Sequence, residues 1–308
     1  MCSAATLVIP EVIVDVRLPG WFRGDASKSW DSLATSLDGS AALIGEHVDN
    51  AAVDNGAVDN GAVDNAAVAP DTGRSDATEA IRRLAGSDVP TLVTITGRGR
   101  ALNAAVETAD AAMAAGASAI HCVTGDHPRA VAAGGSDWFG TESMVMVSAL
   151  AGRGVPTTVA ESPASDGRRT ERLLDKQMAG AAACILNHSG DPEDLIDFAR
   201  RARHDGVVLP LFAPIPFVAD AQTAESLENF PGLRLPTGYT RHIRSASDPE
   251  HVGLRLAMEM AATLSGSGLF AGCNLSGGSR HESPARRVEL TREFAAGVGS
   301  VWRRLSAC

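Results

Sequence analysis

The segment Ala119-Ile-His-Cys-Val-Thr-Gly-Asp-His-Pro128 ends an apolar, β-branched run in a glycine turn that carries a carboxylate. The run reads as a buried strand, and Thr124-Gly125-Asp126-His127-Pro128 as the turn that stops it. In an α/β barrel the C-terminal ends of strands are where chemistry sits, so Asp126 is a candidate catalytic carboxylate. The plainer reading is that Asp126 only stabilises the turn or caps a helix. His121, His127 and His188 also fall near expected strand ends, but their spacing is not that of a zinc site, and no metal is expected.

Those side chains need a scaffold, and the chain supplies eight short apolar runs to build it: Val12–Val16, Ala41–Ile44, Thr91–Thr96, Ala119–Val123, Pro156–Ala160, Ala183–Asn187, Val207–Phe212 and Leu269–Asn274. Helical patterns separate most of them. Ala101–Ala115 is alanine-rich, and Arg168–Met178 sets Leu173 and Leu174 among charges. Asp191-Pro192, Asp248-Pro249 and Ser283-Pro284 place a capping residue before a proline that suits the first helical turn. In the last helix Phe294, Val298, Val301 and Leu305 form one stripe, an apolar face that would support self-association into a homo-oligomer. Strands alternating with helices imply parallel strands joined by right-handed crossovers. Eight such units predict an α/β fold, a single (β/α)8 TIM barrel spanning 1–308; no GxGxxG follows the first strand, which disfavours an open dinucleotide-binding sheet.

Composition narrows the partners. Of 308 residues 44% are apolar but only 4% aromatic, with Tyr239 the sole tyrosine, so aliphatic residues and alanine must fill the core. A net charge of −10 argues against nucleic acid or an anionic membrane as the main partner. Five cysteines without a CxxC pair indicate neither a disulfide framework nor a zinc knuckle. The first ten residues lack the pattern of a signal peptide, and no apolar run reaches the ~18 residues of a membrane span, so a cytoplasmic location is expected. Asp49 to Val68 holds four tandem five-residue copies, DNAAV, DNGAV, DNGAV and DNAAV. Each adds a negative charge and a turn-prone Asp-Asn pair, and residues 49–70 read as an expanded, mobile low-complexity loop after the second strand.

The ordered motifs resemble the methylenetetrahydrofolate reductase family of flavin-linked (β/α)8 barrels. Val123-Thr124-Gly125-Asp126-His127-Pro128 is similar to the family's Gly-Asp segment after the fourth strand. Leu174-Asp-Lys-Gln-Met-Ala-Gly-Ala181, followed by Ile185-Leu186-Asn187, resembles a helix end feeding a strand that finishes in Thr-Gln. Leu209-Pro-Leu-Phe-Ala-Pro-Ile215 is similar to a Pro-Gly-Ile-x-Pro turn, and Leu269-Phe-Ala-Gly-Cys-Asn274 to the last strand. The departures are specific. Asp15 stands where a glutamate is expected, Leu92-Val93-Thr94 replaces His-Leu-Thr, Leu186-Asn187 replaces Thr-Gln, and His188-Ser189 replaces an aromatic pair.

The resemblance implies reduction of 5,10-methylenetetrahydrofolate by NADH or NADPH through bound FAD. The substrate's five-membered ring must open to an iminium, which needs an acid and gains from a nearby carboxylate. Asp126 then becomes the charge-stabilising carboxylate and Asp15 the acid, although Asp15 is shorter than glutamate by roughly 1.5 Å of reach and equally reads as a barrel carboxylate paired with Arg17. Flavin contacts are implied for Thr124, Gly125, His127, Ala160 and Lys176, and folate contacts for Asn187, Phe217 and Asn274. Lys176 also reads as a solvated helix lysine, Asn187 as a turn residue and Phe217 as a core aromatic. Gly277-Gly278 with Arg280 reads as a flexible loop, or as a cradle for a phosphate or a glutamate tail. Two other readings are a flavin-independent or non-redox one-carbon enzyme on the same barrel, and a non-catalytic folate- or flavin-binding protein.

Overall fold

Eight parallel strands close on themselves in sequence order. They are β1 Val12–Asp15, β2 Ala41–Gly45, β3 Thr91–Thr96, β4 Ala119–Val123, β5 Thr157–Glu161, β6 Ala183–Leu186, β7 Leu211–Val218 and β8 Gly272–Gly278. The computed structural model describes residues 7–16, 26–37, 39–45, 73–97, 100–124, 141–163, 169–230 and 233–306, with side chains at all of these except 26–30, 73–77, 169 and 305–306. The helices among them are α1 Ala26–Ser36, α2 Gly73–Ala85, α3 Leu102–Ala114, α4 Ser143–Ala151, α5 Arg169–Met178, α6 Pro192–His204, α7 Ala221–Glu228, α8 Tyr239–Arg244, α9 Pro249–Gly266 and α10 Pro284–Ser306. The expected (β/α)8 barrel is therefore the observed fold. The repeat at 49–70 lies outside the described residues.

Strand residues alternate between two burials, which explains why the strands read as nearly continuous apolar runs. One set, including Val12, Val14, Val93, Ile95, Ile120, Val159, Leu211 and Leu275, packs outward against the helices. The other set, Ile13, Ala41, Leu43, Leu92, Ala119, Ala183, Ile185 and Phe212, fills the lumen, with Leu7 and Ile9 packed against it ahead of β1. Each fully buried aliphatic side chain contributes about 1.5–3 kcal/mol. Cys122, Cys184 and Cys273 belong to the outward set and are buried; burial pushes the Cys122 and Cys184 thiols up to about 12, so they serve as small apolar residues.

The pairings fix which residues share a level. Followed once round the barrel, they return to β1 displaced by eight residues. This shear stacks inward side chains in layers of four from alternate strands. Ala41, Ala119, Ala183 and Gly272 form the lowest of these layers. Above it come Ile13, Leu92, Thr158 and Phe212, then Leu43, His121, Ile185 and Asn274, then Asp15, Thr94, Ala160 and Pro214. Gly45, Val123, Asn187 and Ser276 follow at the C-terminal rim.

Several local expectations are corrected. β7 starts at Leu211 rather than Val207 and runs through Pro214 and Pro216 instead of turning there. Its pairing with β6 stops at Phe212, while pairing with β8 continues to Val218. Pro214 and Pro216 fall on the β6 side, where no ladder bond needs their missing N–H. Gly277 and Gly278 end β8 instead of forming a flexible loop. A Cβ on Gly277, at φ +131°, would lie 2.2 Å from the Phe217 carbonyl oxygen, so only glycine lets β8 lie this close to β7. Phe294, Val298 and Val301 of α10 are buried in the core, so they offer no exposed apolar face for self-association. Asp191 occupies the N-cap position of α6 but bonds Thr237 N and Oγ1, both at 2.8 Å, joining two loops instead of capping. Asp248 does cap α9 by accepting from His251 N.

Candidate functional site in the upper lumen

The lumen changes character half-way up. Its lower layers are apolar, apart from Thr158, and above them the inward positions carry His121, Asn274, Asp15, Thr94, Asn187 and Ser276. Asp15, Thr94 and Ala160 are partly exposed, whereas His121 and Asn274 one layer below are almost fully buried. The polar layers therefore form a polar cup at the strands' C-terminal end of the lumen, with His121 and Asn274 in its floor.

His121 Nδ1 lies 2.9 Å from Thr158 Oγ1, and the side chain makes no other hydrogen bond among the described residues. Desolvation by burial, reinforced by the nearby Lys176 ammonium, lowers its pKa to about 4. The imidazole is thus neutral at physiological pH, with Nε2 left for the lumen. The Asn274 carboxamide oxygen is sealed from solvent without a hydrogen-bond partner among the described residues. Such a group costs about 1–3 kcal/mol, a cost that signals a site more than a core. At the rim, His188 Nε2 lies 2.6 Å from Ser276 Oγ, and both residues are buried.

The structure separates the other sequence-derived candidates. Asp15 faces the lumen on β1. Ala160 faces it from β5, and exposed Asn187 stands directly above β6. Lys176 projects from α5, and its Nζ donates at 2.7 Å to both the Ala160 carbonyl and Glu161 Oε2. Glu161 is buried and also accepts from Arg172 Nη2 at 3.0 Å and from Ser162 N. It points away from the lumen, so Lys176 sits in the helix layer. Thr124 donates to Ser143 Oγ and accepts from Ser143 N, fixing the start of α4. Phe217 is a correction: it is buried on the helix side of β7, its ring centroid 4.4 Å from that of Phe294, and it does not line the lumen. Gly125, Asp126 and His127 lie outside the described residues. His121 and Ser276 were missed as site residues; their alternation with Ala119 and Asn274 marks them as inward once the strands are set. Among the described residues no group of three His, Cys, Asp or Glu is placed to hold a metal ion.

Beside the rim, the ends of β7 and β8 border a groove of about 350 Å³ lined by Asp220, Gln222, Arg280 and His281, among others. Asp220 accepts from Thr223 N and Oγ1 and from Arg280 N, which ties the two loops together. The Arg280 guanidinium donates to Ser226 Oγ at 3.0 Å.

No protein-family model and no curated protein matches the chain in sequence. Solved structures do match in shape. One is an uncharacterized protein from Clostridium thermocellum that binds two copies of 5-methyl-5,6,7,8-tetrahydrofolic acid; it is 10% identical, with 96% of each chain covered and a TM-score of 0.58. Another is tryptophan synthase from M. tuberculosis in its aminoacrylate-bound form, 14% identical over 94% of each chain with a TM-score of 0.47. At these identities the likeness is one of fold: this chain is a (β/α)8 barrel. No described helix is long and apolar enough to cross a membrane.

Proposed function

We propose that the polar cup binds a reduced folate and that the chain reduces 5,10-methylenetetrahydrofolate to 5-methyltetrahydrofolate with a hydride from NADH or NADPH. The observation that carries this reading is the cup itself, with the Asn274 amide oxygen, unpartnered among the described residues, and the neutral His121 in its floor. Neutral donors and acceptors suit an uncharged heterocycle with a hydrogen-bonding edge, as a pterin has. Two further supports are the ordered sequence motifs and the shared fold with a barrel that binds 5-methyltetrahydrofolic acid.

In this reading the methylene bridge opens to an iminium, and its carbon accepts the hydride. Asp126, just beyond β4, balances the cation, and Asp15 stands in the cup close to the opening ring. FAD would supply a hydride relay. Of the described residues assigned to it, however, Lys176 is engaged by Glu161 and the Ala160 carbonyl, and Thr124 by Ser143. Both side chains are thus engaged by the barrel wall, which supports a hydride that passes directly from NAD(P)H.

Anaerobic NAD(P)H oxidation with 5,10-methylenetetrahydrofolate, run with and without added FAD, tests this. The expected result is equal turnover in both tubes. Turnover that requires FAD would overturn the direct transfer and restore the flavin. Absence of turnover in either tube, with folded protein, would overturn the reductase reading.

A further inference from the structure

The reduction consumes one proton for each hydride, and the cup must deliver it. Ser276 is inward-facing on β8, in the rim layer, and the only hydrogen bond of its side chain among the described residues is the 2.6 Å contact with His188 Nε2. One oxygen lone pair and the hydroxyl rotor therefore serve two directions, one toward His188 and one toward the cup. The β1–β8 pairing runs through Val14 and Leu275, and its next step sets Asp15 beside Ser276. An acidic side chain, a hydroxyl and an imidazole thus line one side of the rim, on β1, on β8 and after β6. His121 lies two layers below Ser276 and is engaged by Thr158, away from this side of the rim.

We infer that Ser276, backed by His188, hands the proton to the leaving nitrogen of the folate, an assignment that rests on the reductase reading above. The bond between the methylene carbon and N10 breaks, and its electron pair stays on N10. N10 takes the Ser276 hydroxyl proton, while Ser276 Oγ takes the Nε2 proton of protonated His188, leaving His188 neutral. The N5 iminium carbon then accepts the hydride and becomes the N5-methyl group, and the nicotinamide is oxidised. Solvent returns one proton to His188 in each turnover. Ser276 is the catalytic residue of this relay; His188 acts through it.

The test measures kcat, both KM values and the solvent deuterium isotope effect for wild type, Ser276→Ala, Ser276→Thr, His188→Gln and Asp15→Asn. Ser276→Ala is expected to lose at least about a hundredfold in kcat, the usual scale of general acid catalysis, with KM values nearly unchanged and the isotope effect altered. Ser276→Thr keeps a hydroxyl and is expected to restore most of kcat, while His188→Gln falls with Ser276→Ala. If Ser276→Ala fails to fold, the contrast between Ser276→Thr and His188→Gln gives the same answer. Wild-type kcat and isotope effect in Ser276→Ala, with loss of kcat in Asp15→Asn, would overturn the relay in favour of Asp15 as the direct acid. Absence of wild-type turnover would sink the reductase reading, and the relay with it.

Discussion

His121 on β4 and Asn274 on β8 face each other across the lumen, in one layer of inward side chains. Leu43 and Ile185 complete that layer, so two polar groups share an otherwise apolar floor. A barrel needing only stability would carry aliphatic residues at all four positions. Replacing Asn274 with leucine is therefore expected to hold or raise the melting temperature, because an unpaired buried oxygen disappears. The same change should weaken 5-methyltetrahydrofolate binding at least about tenfold, equivalent to one lost hydrogen bond of about 1.4 kcal/mol. Thermal unfolding and titration calorimetry on one preparation read both effects. Unchanged affinity would remove Asn274 from the site.

The neutral state of His121 has a consequence for stability. Its pKa is lowered from 6.5 to about 4 in the folded chain. Below pH 6.5 the unfolded chain binds a proton at this histidine and the folded chain does not, so stability falls as pH falls. The loss stops near pH 4, where the folded form is protonated as well, and totals about 3 kcal/mol. Carboxylates also titrate at the acid end, so the measurement is a difference: urea unfolding of wild type and His121→Asn at pH 7 and pH 4.5. Wild type is expected to lose more stability than the variant over that interval. Parallel losses would show that His121 is solvated.

The barrel was legible in the sequence because every strand is buried on both faces and every run between strands is long enough for a helix. β3 and β4 match their expected limits residue for residue, since Pro90 and Gly97 bound the one sharply and Ser118 and Thr124 the other. β7 was misplaced because Val207 and Leu209 are buried in an unpaired segment, and because two prolines mask a strand with one neighbour. The site was less legible. Alternation marks Asp15 and Asn274 as inward, but whether an inward polar residue is partnered depends on contacts between distant strands. The His188–Ser276 contact spans 88 positions, and no local pattern announces it. Lys176 read equally well as a cofactor ligand or a surface lysine; in the structure Glu161 draws its ammonium into the wall.

That wall contact gives a third prediction. The Glu161 carboxylate is 3% exposed, against 14% for the Lys176 side chain. Lys176→Met would leave a buried carboxylate with, among the described residues, the partly exposed Arg172 as its remaining ion-pair partner. Removing one member of a buried pair costs about 3 kcal/mol. The double variant Glu161→Gln/Lys176→Met should recover much of that loss, because no charge is left stranded. Chemical denaturation of the three variants checks the pattern. An unaltered midpoint for Lys176→Met, with a new flavin affinity in wild type, would return Lys176 to a cofactor role.

The remaining prediction concerns the support behind β7. A Cβ at Gly253 would lie 1.8 Å from the Val218 carbonyl oxygen and 3.4 Å from the Phe294 ring. Gly253 is on α9, and Val218 is the last residue of β7. Only glycine lets this helix lie against the backbone at the strand's C-terminal end. Gly253→Ala gains helix propensity of about 1 kcal/mol, but it must push α9 off the barrel; overpacking of this kind typically costs about 1–3 kcal/mol, occasionally more. The contact is with backbone, which cannot rotate away, so the penalty should lie at the upper end and exceed the gain. A lowered melting temperature is expected. Because β7 pairs with β8 through Val218 and Gly278, the shift should also reach Ser276 on the neighbouring strand. Folate affinity is therefore expected to fall together with stability in this variant, whereas Lys176→Met, on the far side of the barrel, should lose stability alone. Calorimetric titration of both variants with 5-methyltetrahydrofolate separates the two cases, and equal affinities would show that the rim tolerates movement of α9.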